Sequence, residues 1–214
     1  MSIDLNKRKY KVFFNQVLVF VEESLNLTEL SEELIGVSES ELLLPENWES
    51  WLTADQPATV RCSCDSPIDV FNRFKCHFKL IEAAGGIVEN ERGDLLVIYR
   101  NGKWDLPKGK LEKSEKIKQC AIREVEEETA VSVSTCSEAS FEITYHVYYH
   151  KNSFVLKPTF WYKMTSKTNL QNLSPQTEEG IDKVEWIRKD KVLEVFKENS
   201  YRSIVALVEK YLSF

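Results

Sequence analysis

Hydrophobic and polar positions change texture several times along the chain. "KYKVFFNQVLVFVEE" (9–23) holds two runs of β-branched and aromatic residues around Asn15-Gln16, the pattern of two strands joined by a tight turn. An acidic, leucine-rich stretch (24–57) follows, with a short helix expected near 28–35, and then "ATVRCSC" (58–64) reads as a strand. Ser66 stands as an N-cap and Pro67 as a first helical residue. Ile68, Phe71, Phe74 and Phe78 then recur at helical spacing, which predicts a helix over 67–80. From residue 83 the text becomes strand, turn at Glu91-Arg92-Gly93, and strand ("AAGGIVENERGDLLVIYR"). A helix is expected over 114–129, strands over 141–150, 159–164 and 183–187, and helical text fills the rest. Alternation in "FEITYHVYYH" puts Phe141, Ile143, Tyr145, Val147 and Tyr149 on a core face, and Tyr148 with His146 and His150 on the other. The interleaving after residue 83 predicts an α/β layered domain over 82–214, preceded by a small α+β region over 1–81. His77, inside the predicted 67–80 helix, reads as an ordinary surface or packing residue.

Composition narrows the classes. At 214 residues the chain suits one generous domain or two small ones, and 43% hydrophobic with 11% aromatic residues suits a packed core. The longest apolar run, "VLVFV" at 17–21, is far too short to span a membrane. Asn15 and Gln16 interrupt the apolar text after the basic N-terminus and no small-residue cleavage site follows, so no signal peptide is expected. Five cysteines form no even framework. Cys62 and Cys64 are too close for a zinc knuckle and lack a second pair, so reduced thiols in a cytoplasmic protein are expected. A net charge of −6 argues against general nucleic-acid or membrane-surface binding.

One stretch runs against this acidic balance by making it worse. "REVEEETAV" (123–131) places Glu124, Glu126, Glu127 and Glu128 within five positions. Like charges four apart on a helix cost about a few tenths of a kcal/mol. At 100° per residue Glu124, Glu127 and Glu128 share one face, Ala121, Ile122, Val125 and Thr129 fall on another, and Glu126 points to solvent. Arg123, one turn before Glu127, can hold its carboxylate. Three carboxylates on one face suit a hard divalent cation such as magnesium, which takes oxygen ligands and bridges to phosphates. The text before the helix is basic: seven lysines and arginines, among them Arg100, Lys108 and Lys110, stand against three acids between residues 100 and 118. A basic, glycine-containing loop leading into an acidic helix suits a polyanion bound through both lysines and metal.

These residues resemble the Nudix box, G-x5-E-x7-R-E-U-x-E-E-x-G-U with U bulky and aliphatic. Gly109, Glu115, Arg123, Glu124, Val125, Glu127, Glu128 and Val131 fill eight of its nine fixed positions, and Ala130 replaces the last glycine. The resemblance covers roughly 83–200. It implies an α/β/α sandwich with a mixed sheet, and Mg²⁺- or Mn²⁺-dependent hydrolysis of a pyrophosphate bond in a nucleoside diphosphate linked to another group. It further implies Glu124, Glu127, Glu128 and the Gly109 carbonyl as metal ligands, Arg123 as their orienter, and Glu115 as a support or a second-metal ligand. The general base varies in the family, and Glu178 or Glu179 in "QTEEG" is the candidate outside the box.

The box does not name the substrate. Lys108 in "LPKG" is similar to members acting on dinucleoside polyphosphates or diphosphoinositol polyphosphates, where more phosphate must be neutralised. Dinucleoside polyphosphate members often carry a tyrosine at about the distance of Tyr148 and Tyr149 from the box, and the resemblance implies Tyr148, off the core face, as a base-stacking residue. ADP-ribose and nucleoside triphosphates are the alternative substrates, and a non-catalytic nucleotide sensor is the alternative function. For residues 1–81 the sequence leaves two roles open, homodimerisation or covering the nucleotide site.

Overall fold

A computed structural model of the chain describes residues 9–23, 34–167 and 173–213. The chain divides into two compact units, one of residues 1–80 with 145–157, the other of 81–144 with 158–214.

In the first unit, β1 (Lys9–Phe14) and β2 (Val17–Glu23) form the expected hairpin, with Phe14 opposite Val17 and Asn15 at φ 48° in the turn. The helix expected near 28–35 lies outside the described residues except for Leu34 and Ile35, which open β3 (Leu34–Val37) instead. Next come α1 (Glu39–Leu42), α2 (Pro45–Thr53), β4 (Ala58–Cys64), α3 (Pro67–Lys75) and β5 (Lys79–Leu80). The α1 and α2 helices, not anticipated from the sequence, are a β3–β4 crossover between strands that pair in parallel. A capping box between Ser38 and Glu41 starts α1. The α3 helix is shorter than expected because Lys79 and Leu80 leave it to pair with Val155 and Leu156. Ser66 precedes it, but its hydroxyl donates to Asp69 at 2.6 Å and does not cap the backbone. Tyr10, Phe14, Trp48, Phe71, Phe74 and Phe78 make an aromatic core. His77 lies edge-on to Trp48 at 5.6 Å, a packing residue as expected.

The second unit contains β6 (Ala83–Glu89), β7 (Leu95–Arg100), β8 (Lys103–Asp105), β9 (Lys108–Lys110), α4 (Ile117–Thr129) and β10 (Thr135–Cys136). It also holds the outer portions of β11 (Glu142–His150) and β12 (Ser153–Thr165), then β13 (Ile181–Ile187), α5 (Lys189–Asn199) and α6 (Arg202–Leu212). Its sheet is mixed: β13–β7 and β7–β6 are antiparallel, while β6–β12 is parallel. The continuous apolar text of β7 follows from burial on both faces. Leu96 and Ile98 pack with Cys120, Ala121 and Val125 of α4, and Leu95 and Val97 pack with Val192, Phe196, Ile204 and Leu207 of α5 and α6. The unit is therefore an α/β/α sandwich. Gly86 permits the close approach of α4, since a Cβ there would lie 2.7 Å from a Val125 methyl.

Residues 145–157 join the first unit because Val12, Phe13 and Phe14 pair in parallel with Tyr145, His146 and Val147. Tyr145 and Val147 are buried as the alternation predicts. Tyr149 is not: it is 57% exposed, its ring edge-on to Phe154 near the hairpin tip.

Candidate active site

The site grows from α4. Its apolar positions dock on β6, and its C-terminus stops at Ala130, whose φ of 58° and ψ of 20° are left-handed. The last carbonyls are satisfied from the 173–176 loop: Ser174 N–H donates to Thr129 O at 3.1 Å and Gln176 N–H to Glu128 O at 3.3 Å.

The glutamates occupy three environments. Glu124 is 6% exposed and Glu128 wholly buried, whereas the Glu127 side chain is half exposed. Glu126 is exposed as expected, yet it accepts Val133 N–H at 3.0 Å and so fastens the chain leaving the helix. Burial pushes the Glu124 carboxyl upward and the Glu128 carboxyl up to about 7, with the Lys108 ammonium and amide and then Arg100 pulling Glu128 the other way.

Arg123 is the hub of the outer cluster. Its Nε and Nη2 grip Glu115 at 2.8 and 3.0 Å, its Nη1 reaches Glu124 at 2.7 Å and Glu127 at 2.8 Å, and Nη2 also reaches the Lys110 carbonyl at 3.2 Å. These bonds hold the Glu115 carboxyl down to about 2, with Arg123 the largest cause. Glu115 therefore sits as a support for Arg123. A shallow groove of about 630 Å³ borders this cluster, lined by Glu115, Gln119, Ile122, Arg123, Glu126 and Glu127.

A second arginine serves the inner acids. Arg100, at the end of β7, donates to Glu128 at 2.9 Å and to Glu179 at 3.2 Å. The other Glu128 oxygen accepts Lys108 N–H at 2.8 Å. Of the two acids considered in "QTEEG", the 3₁₀ turn at Thr177–Glu179 brings Glu179 to the cluster. Glu178 is exposed and, among the described residues, makes no hydrogen bond or ion pair. Of the two, Glu179 is the one bonded to Arg100.

Lys108 is not a free cation: its ammonium pairs with Asp105, a 4% exposed carboxylate. The sequence counted Asp105 only as a charge in a basic loop. The Lys110 side chain is exposed, and it is the Lys110 carbonyl that joins the cluster. Tyr148 belongs to the first unit, half-buried, its ring 5.8 Å from that of His146.

The residues fit a hard divalent cation on two observations. The donors are carboxylate and carbonyl oxygens, two of the carboxylates buried. A Cβ at Gly109 would also lie 1.9 Å from Glu124 Oε2, so glycine leaves the space this carboxylate fills. Among the described residues no three His, Cys, Asp or Glu side chains are grouped as a cation cage. Arg123 bonds Glu124 and Glu127, and Arg100 bonds Glu128.

The family model of the NUDIX domain matches residues 79–208, more than half of the chain, and the chain belongs to this family and is a pyrophosphohydrolase. Members act on small nucleotide substrates and generally use divalent metal ions. Among solved structures, the chain is similar to a Caenorhabditis elegans Ap4A hydrolase in a binary complex, at 20% identity and a TM-score of 0.48, over 63% of this chain and 96% of that one. It is also similar to a mutator MutT protein from Bacillus halodurans, at 23% identity and a TM-score of 0.48, over 63% and 83%. A NUDIX hydrolase from Nitrosomonas europaea matches at 22% identity and a TM-score of 0.47, over 63% and 90%. No helix among the described residues is long and apolar enough to cross a membrane.

Proposed function

We propose that the chain cleaves a pyrophosphate bond in a dinucleoside polyphosphate or a diphosphoinositol polyphosphate. One observation supports this reading: the loop bearing Lys108 is bonded directly to the acidic helix, Lys108 N–H to Glu128 at 2.8 Å, which brings Lys108 and the acids to one site. Glu124, Glu127, Glu128 and the Gly109 carbonyl are the residues that would hold Mg²⁺ or Mn²⁺. Such an ion, when bound, neutralises phosphate oxygens and acidifies bound water.

The remaining work falls to the chain's own groups. Arg123 keeps Glu124 and Glu127 in fixed rotamers, and Glu115 keeps Arg123 in place. Arg100 and Lys108 supply positive charge against a polyphosphate, with Lys110 at the rim. Glu179, held by Arg100, is the assigned proton acceptor for the attacking water. The free thiols support a reducing, cytoplasmic setting.

The test is product release from diadenosine tetraphosphate, a diphosphoinositol polyphosphate, ADP-ribose and an oxidised deoxynucleoside triphosphate, with and without Mg²⁺. Metal-dependent cleavage of either of the first two is expected. Preference for ADP-ribose or the triphosphate overturns the substrate assignment, and tight binding without turnover of any of them would make the chain a sensor. Light scattering of the full chain reads whether residues 1–81 serve dimerisation.

A further inference from the structure

Asp105, the partner of the Lys108 ammonium, is a nearly fully buried carboxylate beside the site. It closes β8, and the chain then runs Leu106-Pro107-Lys108 into β9. One of its oxygens accepts Leu106 N–H at 2.8 Å, and the other accepts the Lys108 ammonium. The segment between them has no slack. Leu106 is fully buried in the core on the α5–α6 side, Pro107 has its φ locked by its ring, and the Pro107 carbonyl accepts Gly86 N–H at 3.1 Å. Lys108 is held at both ends, its backbone amide on Glu128 and its ammonium on Asp105. A buried carboxylate requires a paired cation, so the lysine is kept where Asp105 lies. An ammonium has three donors. With one on Asp105, the others remain for a ligand, and the Lys108 side chain keeps 18% of its surface accessible.

We infer that Asp105 is a positioning residue for polyphosphate binding: it fixes the Lys108 ammonium in advance beside the acidic end of α4, without itself touching substrate. Freezing a long, flexible side chain before binding removes an ordering cost from the binding step. The inference rests on the reading above that Lys108 meets the substrate's phosphates.

The experiment is calorimetric binding of inorganic tripolyphosphate, in magnesium buffer, to the full chain and to Asp105→Asn, Lys108→Met and the double variant. Each single change is expected to weaken binding about tenfold, the scale of one charge-assisted hydrogen bond. The double variant is expected to be no weaker than the weaker-binding single, because both remove the same contact. Additive losses in the double variant, or full affinity in Asp105→Asn, overturn the inference while leaving Lys108 in its role. Full affinity in Lys108→Met removes the role of Lys108 and the inference with it. A second readout needs neither ligand nor variant stability at Asp105: the pinned ammonium should give a slowly exchanging ¹H–¹⁵N signal that vanishes in Lys108→Met. Its absence from the wild-type protein would mean that the ion pair does not persist in solution, which also overturns the inference.

Discussion

A Cβ on residue 109 would sit 1.9 Å from Oε2 of Glu124, so the backbone of β9 and the carboxylate of α4 share a space that glycine alone leaves open. Gly109→Ala must therefore displace the Glu124 carboxylate, which is the movable end of a side chain. The fold should survive, with kcat/KM down by about a hundredfold, the scale of a misplacement near 1 Å. Kinetics and a thermal melt on the same sample check this, and unchanged turnover would show that Glu124 acts from elsewhere.

Ala130 adopts the left-handed conformation that the family's glycine would occupy without strain. For a non-glycine residue that conformation costs roughly 1–2 kcal/mol. Glycine's extra freedom in the unfolded chain takes back about 0.4–1 kcal/mol. Ala130→Gly should thus stabilise by up to about 1.6 kcal/mol, raising Tm by about 2–4 °C per kcal/mol with activity intact. A fall in Tm would refute the strain argument.

Glu126 and Glu127 are adjacent and both exposed, yet only Glu127 reaches Arg123. Glu127→Gln is expected to reduce kcat by at least about a hundredfold, the loss expected when electrostatic groups at a reacting phosphate are removed. Glu126→Gln keeps an oxygen for Val133 N–H and should turn over at the wild-type rate. If the two variants exchanged behaviours in a steady-state assay, the assignment of helix faces would be wrong.

Arg123→Lys tests the hub. A lysine is a point charge that cannot hold Glu115 with two parallel bonds while also reaching Glu124 and Glu127. Expected are a loss of about 1–3 kcal/mol in stability and a fall of at least about tenfold in kcat. Denaturant unfolding beside kinetics separates the two effects, and wild-type values for both would sink the hub reading.

The Glu115 carboxyl is depressed in the folded protein from its ordinary value to about 2, chiefly by Arg123. Its folded pKa lies below its unfolded one, so its contribution to stability is complete above about 4.5 and is lost as pH falls towards 2. The stability difference between wild type and Glu115→Gln should therefore be constant above about pH 5 and shrink below it. Chemical denaturation across this range is the measurement. A constant difference down to pH 2.5 would mean that Glu115 is not ion-paired in solution.

What could be read from the sequence was what is local. The β1–β2 hairpin, β4, the β6–β7 pair, β13 and α4 follow from alternation, turn residues and helical spacing, each contained in fewer than twenty consecutive residues. The grouping of Glu115, Glu124 and Glu127 around Arg123 was legible because it depends on positions along one loop and one helix. The end of α3 at residue 75 was not, since it depends on β12, some eighty residues away.

The sequence by itself determined the family, the sorted acidic helix and the alanine in place of its terminal glycine, because spacing on a regular backbone is fixed by covalent geometry. Only the tertiary structure decided which charges meet: Arg100 with Glu128 and Glu179, and Lys108 with Asp105. It also decided that Glu179, and not Glu178, bonds Arg100, and that Tyr145, His146 and Val147 pair with β1. Burial and cross-strand pairing join residues distant in the chain, and their energies are set by neighbours that local spacing does not specify.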